Sequence, residues 1–267
     1  MIPTRLSRNT GLALAAISLI LSASADAALV HRWSFNDGSD VVGGANASLV
    51  GGATFTGGQL ELPGGAPRTN YASAPGITAT LQASQSITVE SWFTLDSLQN
   101  WSKIWMFGTA GGQPGLSYID YTPRTGIGTN LPKIDFDTTT GNELNTGSDG
   151  GSQVSAGVQI YVATVYDATN NLMSFYTNGV LTDSAPMGGG NITMLGATAQ
   201  NFFGAAVNFG DPDIDGRINE IRIWNNAMPA AEIAAHNTLG PDAVPEPSVS
   251  LMGLLAGCAA LFRRRRN

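Results

Sequence analysis

QIYVATVYDATNNLMSFYTNGVLT, residues 159–182, is the stretch that decides the architecture. Gln159 to Tyr166 and Leu172 to Thr177 are rich in β-branched and aromatic residues, and Asp-Ala-Thr-Asn-Asn separates them by a hairpin-length loop. Asn178-Gly179 then turns the chain into Val180 to Thr182. An Asn-Gly pair between apolar runs marks a two-residue hairpin, because both central residues of a type I′ turn need positive φ. The same alternation of strand and turn extends both ways. In Ser86 to Leu95, Ile87, Val89 and Phe93 fall on one face and Thr88, Glu90, Trp92 and Thr94 on the other, which is period two. Leu29 to Phe35 runs into the turn residues Asn36-Asp37-Gly38, and Lys103 to Phe107, Leu116 to Tyr121 and Lys133 to Phe136 are shorter candidates. Asp215 to Trp224 supplies a last strand with Ile221 and Ile223 on one face. The one expected helix is short, with Pro229 at its start, Glu232 in its first turn and Ile233 on its apolar side. About a dozen short strands without an internal repeat imply a two-sheet sandwich, either immunoglobulin-like or a jelly roll.

Composition agrees. Hydrophobic residues make up 43% of the 267, enough for a core, while charged residues are only 12%, against roughly a quarter in a typical soluble protein. The 33 glycines suit tight turns better than long surface helices. The net charge is −7, and without residues 1–27 and 245–267 the middle holds 7 basic and 18 acidic groups, a net of −11. Such a body excludes nucleic acid as a partner, which needs a clustered basic face, and tolerates a bound cation. The single cysteine, Cys258, lies in the C-terminal apolar run, so the middle has neither a disulfide nor a thiol site.

The two ends read as addresses. Arg5 and Arg8 precede the apolar run Leu12 to Leu21, and Ala25-Asp26-Ala27 supplies an A-x-A cleavage pattern, so residues 1–27 are expected to be a secretory signal cut after Ala27, with Ala25 as the alternative. At the other end Val244-Pro245-Glu246-Pro247 is followed by an apolar run from Ser248 to Phe262 and by Arg263, Arg264, Arg265 and Arg266. Basic residues stay on the cytoplasmic side of a membrane, so this run would hold the domain outside, as the N-terminal signal independently requires. Residues 244–267 closely resemble the PEP-CTERM sorting signal of Gram-negative bacteria. That resemblance implies a transient inner-membrane helix, recognition of the Pro-Glu-Pro motif by an exosortase, and delivery through the secretion machinery to the cell envelope, outer surface or extracellular polysaccharide matrix. The apolar run is on the short side for that pattern.

The middle carries a second resemblance. HRWSFNDGSD (31–40), SITVESWFTL (86–95), YVATVYDATNNLMSFYTNG (161–179) and DGRINEIRIWNNAMPAAEI (215–233) occur in that order. Together they resemble the concanavalin A-like, laminin-G-like jelly roll over nearly all of residues 28–238, with Asn219 where that family commonly has Asp. The resemblance implies an all-β, two-sheet antiparallel jelly-roll sandwich over residues 28–240, between the signal peptide of 1–27 and the sorting segment of 241–267.

Chemistry is sparse. Glycan-cleaving members of such folds place their acids on one strand as E-x-D-x-x-E, where alternate residues share a face. No such string occurs, and Glu90 and Glu220 stand alone in their strands. The two histidines, His31 and His236, have no G-x-S-x-G elbow to serve, and no closely spaced pair for zinc. Asp37 and Asp40 in the first loop, with Asp213 and Asp215 where the last strand begins, offer hard oxygens of the kind calcium takes. Because the resemblance makes the first and last strands neighbours, these loops are expected to meet around a structural calcium ion. Trp101, between Asn100 and Ser102 in a polar loop, is the expected platform for a sugar ring, while the other aromatics are expected in the core. The reading that results is a noncatalytic exported module that binds carbohydrate. The alternatives are a structural or adhesion protein of the matrix with a protein partner, and a divergent glycoside hydrolase.

Overall fold

The computed structural model describes residues 28–243, apart from 111–114, 127, 129, 139–145 and 208–209. The expected signal with Ala25 and Ala27, and the expected sorting segment from Val244 to Arg266, lie outside the described residues. Among the described residues no helix is long and apolar enough to cross a membrane.

Among the described residues fifteen strands form two antiparallel sheets, as the period-two pattern predicts. The first runs in the order β13 (Val180–Pro186), β12 (Leu172–Thr177), β11 (Gln159–Asp167), β6 (Ile87–Leu95), β15 (Asp213–Trp224), β4 (Gln59–Gly65) and β3 (Thr54–Thr56), with β1 (Leu29–Trp33) also paired to β15. The second runs β10 (Thr146–Asp149), β9 (Lys133–Asp137), β8 (Tyr118–Thr122), β7 (Trp105–Gly108), β14 (Gln200–Phe203), β5 (Tyr71–Ser73) and β2 (Ser48–Val50). The inner faces meet in one core containing Trp33, Val89, Phe93, Phe107, Tyr121, Phe175, Phe203 and Ile221. Phe203 is central to it, with its ring centroid 5.0 Å from Trp33 and 6.1 Å from Phe107, both edge to face. The expected I′ turn forms: Asn178 has φ 51° and Gly179 φ 80°, and Thr177 pairs with Val180 across it.

Two features go beyond the sequence reading. The outer face of β6, which carries Thr88, Glu90, Trp92 and Thr94, is buried like the inner one. Trp92 packs there against Tyr161 at 4.6 Å between centroids, in a second cluster with Trp224 and Ile233. Ile233 belongs to α2 (Ala230–Leu239), the expected helix, which roofs this face. A second helix, α1 (Thr78–Ala83), was not expected; it is one and a half turns long, with no side-chain cap, and is seated by the burial of Leu81.

Polar groups under α2 bond chiefly to one another, with Arg222 Nη1 left over. Glu90 accepts from Tyr161 Oη, from Trp224 Nε1 at 2.6 Å and pairs with His236 Nδ1 at 2.9 Å. Glu220 accepts from Arg32 at 2.8 and 3.0 Å, from Arg222 and from the Asp242 N–H at 2.8 Å. Burial alone would raise the Glu220 carboxyl, but the Arg32 hydrogen bonds and the Arg222 charge outweigh it and hold it below the usual carboxylate range. Arg222 also donates to the Ala243 carbonyl at 2.9 Å, so the fold is fastened down as far as that residue. The two isolated glutamates therefore serve as structural acceptors.

Candidate functional site

The four aspartates expected around calcium are not assembled. Asp40 is buried and its oxygens are taken by its own loop. Oδ1 accepts from the N–H groups of Arg32 (2.9 Å), Val42 (3.1 Å) and Gly43 (3.0 Å). Oδ2 accepts from Ala45 N–H at 2.8 Å and faces His31 Nδ1 at 2.6 Å. Asp213 likewise accepts from the N–H groups of Arg68 (2.8 Å), Thr69 and Asn70 (both 2.7 Å). Exposed Asp37 accepts from Ser39 N–H at 2.7 Å, and Asp215 from Ser97 Oγ at 2.6 Å. Among the described residues no group of three or more His, Cys, Asp or Glu side chains is placed to hold a metal ion. Backbone donors occupy the lone pairs of Asp40 and Asp213 that a cation would use. Burial opposes ionisation of Asp40, yet these bonds keep its carboxyl below the usual range.

Polar chemistry gathers instead on the outer face of the second sheet. β8 and β9 send Ile119, Tyr121, Ile134 and Phe136 into the core. The alternate residues of the same strands, Tyr118, Asp120 and Thr122 with Lys133, Asp135 and Asp137, therefore face the other way. The register sets Tyr118 opposite Asp137, Asp120 opposite Asp135 and Thr122 opposite Lys133. Lys103, just before β7, is buried among them, with Nζ 2.6 Å from Thr122 Oγ1, 3.0 Å from Asp120 Oδ2 and 3.9 Å from Asp211 Oδ2. Lys133 Nζ lies 2.7 Å from Asp135 Oδ1. Like charges directly opposite on a sheet repel, and here each carboxylate has its own ammonium. Burial, and then the neighbouring Asp120, still push the Asp135 carboxyl up to about 6. Burial also raises Asp211, against the pull of Lys103, and drives the Tyr118 phenol far above its ordinary range. From inside, the Tyr166 hydroxyl lies 3.2 and 3.1 Å from the carbonyls of Asp120 and Asp135, tying this floor to the first sheet.

Beside the charged floor the same face is apolar. Met106, Leu116, Tyr118 and Phe202 pack with Ala205, Ala206 and Val207, and the Tyr71 ring lies tilted against Phe202 at 4.5 Å between centroids. The floor is closed to solvent, whereas the side chains of Lys133 (27% exposed) and Asp211 (23%) remain reachable at its rim.

Trp101 belongs to that rim. It is half-buried, and its ring lies under Lys103 Nζ, 5.6 Å from the centroid. Its φ of 67° is left-handed, a conformation that costs a bulky residue on the order of 1–3 kcal/mol. The Trp101 N–H holds it by donating to the Arg124 carbonyl at 2.8 Å, while Arg124 Nε donates to Asn100 at 2.7 Å. A Cβ on Gly126 would lie 2.7 Å from Trp101 Nε1, so only glycine lets that loop lie against the indole. Trp92, Trp105, Tyr118, Tyr121, Phe202 and Phe203 are all buried. Sequence reading missed Lys103, Asp120 and Asp135. The visible trace of the two aspartates is Y-x-D-x-T and K-x-D-x-D, polar residues alternating with core residues on two short strands.

A sequence profile of the concanavalin A-like lectin/glucanase superfamily matches residues 64–234. The chain belongs to this superfamily. Solved structures share its fold at low identity. Domain 4 of AbnA, a GH43 extracellular arabinanase from Geobacillus stearothermophilus solved with arabinotriose, superposes with a TM-score of 0.57 at 19% identity, covering 79% of this chain and 98% of that one. The CBM40 domain of a Ruminococcus gnavus IT-sialidase, bound to α2,3 sialyllactose, gives 0.56 at 16%, covering 66% and 95%. Trypanosoma rangeli sialidase gives 0.55 at 18%, but this chain spans only 32% of it. A search of curated proteins finds no match.

Proposed function

We propose that this superfamily member is an exported carbohydrate-binding module that holds a glycan at the outer face of its second sheet and does not cleave it. One observation carries the reading: a strained, half-exposed Trp101 stands beside a preorganised set of charged and hydroxyl groups. An indole face stacks on the apolar face of a sugar ring, and Asp211, Lys133 and the groups beneath them are suited to its hydroxyls. Two of the similar folds are small domains solved with oligosaccharides, which supports the same class of ligand. Export and exosortase sorting to the envelope or polysaccharide matrix rest on the order of Pro-Glu-Pro motif, apolar run and terminal arginines.

A glycan array with the purified domain tests the binding. The wild type is expected to retain a defined set of polysaccharides, and Trp101→Gly to lose them by about 10-fold or more while staying folded, since glycine adopts the left-handed φ without strain and so offsets the lost indole packing. Equal retention by both proteins would move the site elsewhere. A wild type that retains no glycan would favour the matrix-adhesion alternative.

A further inference from the structure

Thr80, His31 and Asp40 form a hydrogen-bonded line that the glycan site does not use. His31 Nε2 is 2.6 Å from Thr80 Oγ1, and His31 Nδ1 is 2.6 Å from Asp40 Oδ2. The three come from α1, β1 and the loop after β1, so the line is made only by folding. Every other contact of the Asp40 carboxylate is a backbone N–H pointing at it. It therefore acts as a pure acceptor, and a neutral His31 must give it the Nδ1 proton. That choice leaves the Nε2 lone pair facing Thr80, whose hydroxyl must donate. Direction is thus fixed along the line: threonine to imidazole, imidazole to carboxylate.

The imidazole has no freedom to turn. It stacks on Trp33 at 5.4 Å between centroids, and a Cβ on Gly43 would come within 2.3 Å of its Nδ1. Only Thr80 reaches an opening. It lines a cleft of about 430 Å³ together with Ala83, Ser84, Ser86, Gln85 and Asn225. Small side chains leave room beside the hydroxyl, and amides and hydroxyls fit a polar ligand.

We infer that Thr80 is a nucleophile activated by His31, with Asp40 as the positioning residue, and that the cleft takes short acyl esters of polyhydroxylated alcohols. A hydroxyl on a base that a carboxylate orients is the arrangement acyl transfer needs. Thr80 Oγ bonds to the acyl carbon as its proton passes to His31 Nε2. The ester C–O bond breaks, and the leaving alkoxide takes that proton as the free alcohol. Water then attacks the acyl carbon as one of its protons passes to His31 Nε2; the bond from that carbon to Thr80 Oγ breaks, and His31 returns the proton to Oγ, which releases the carboxylic acid and restores the Thr80 hydroxyl. This activity goes beyond glycan binding and stands or falls separately from it.

The test is p-nitrophenyl acetate with the intact purified protein, followed by acid quench and peptide mapping. Nitrophenol release or an acetyl group trapped on Thr80 is expected from the wild type and from Thr80→Ser. Thr80→Val should abolish both, and His31→Gln should reduce them by about 100-fold or more. For Asp40→Asn, nitrogen NMR should show the His31 proton moved from Nδ1 to Nε2, a change that loss of a mere tether would not produce. Absence of both release and label in the wild type overturns the inference. So does wild-type activity in Thr80→Val. If that variant does not fold, the position of the acetyl group in wild type and Thr80→Ser decides.

Discussion

Asp135 lies opposite Asp120 on the neighbouring strand, closed off from water, and its carboxyl is pushed up from 3.8 to about 6. A folded-state value above the unfolded one means that the folded protein takes up a proton in that interval. The stabilisation from this uptake is complete below about 3.8 and is lost as the pH rises through about 6. Asp135→Asn keeps the shape and the acceptor for Lys133 but never ionises. Urea midpoints are therefore expected to show the variant gaining on the wild type by on the order of 1–3 kcal/mol at pH 8, with the gain shrinking towards pH 4. A difference independent of pH would refute the account. A carboxylate kept where it weakens the fold fits the proposed glycan site, where a ligand would use its charge.

The β12–β13 hairpin shows how a local instruction is wired to a distant element. Gly179 has φ 80°, and a Cβ there would come 3.2 Å from both Ala234 Cα and Asn237 Cβ of α2. Asn237 Nδ2 donates to the Asn178 carbonyl at 3.1 Å, and the Tyr161 N–H donates to Asn178 Oδ1 at 3.1 Å. Gly179→Ala is expected to cost about 1–2 kcal/mol in urea unfolding, from the left-handed backbone and from pressure on α2. The hairpin was legible because adjacent residues encode it. β2, β5 and β14 were not: each is three or four residues long, and β14 finds β5 through Phe202 opposite Ser73, a pairing that no nearby residue announces. The charged floor was half legible. Alternation marks Asp120 and Asp135 as outward, but only the register sets them face to face. Asp40 and Asp213 misled for a related reason. The groups that fill their oxygens are backbone N–H donors, which every residue but proline has and which no side-chain pattern reveals.

Across the whole molecule the last described residues are held by a clamp. Glu220 holds the Asp242 N–H at 2.8 Å and Arg222 the Ala243 carbonyl at 2.9 Å, immediately before Val244-Pro245-Glu246-Pro247. If the sorting proposal holds, mass spectrometry of the native protein should find its C-terminus within 244–247. A C-terminal peptide containing Cys258, recovered as the major mature form, would mean that the segment is a permanent anchor. β15, 12 residues long and last of the strands in sequence, is hydrogen-bonded to β1, β4 and β6. A chain fed out from its N-terminus, by a ribosome or through a translocation pore, thus arrives as a sheet with its middle missing. Until Asp213–Trp224 arrives, β1 and β4 have no tie to β6, and Arg32 waits for Glu220. Closing contacts so far apart in sequence is slow. The first sheet is therefore completed only when the final strand slides in, and on the export proposal that keeps the polypeptide threadable until late in its passage.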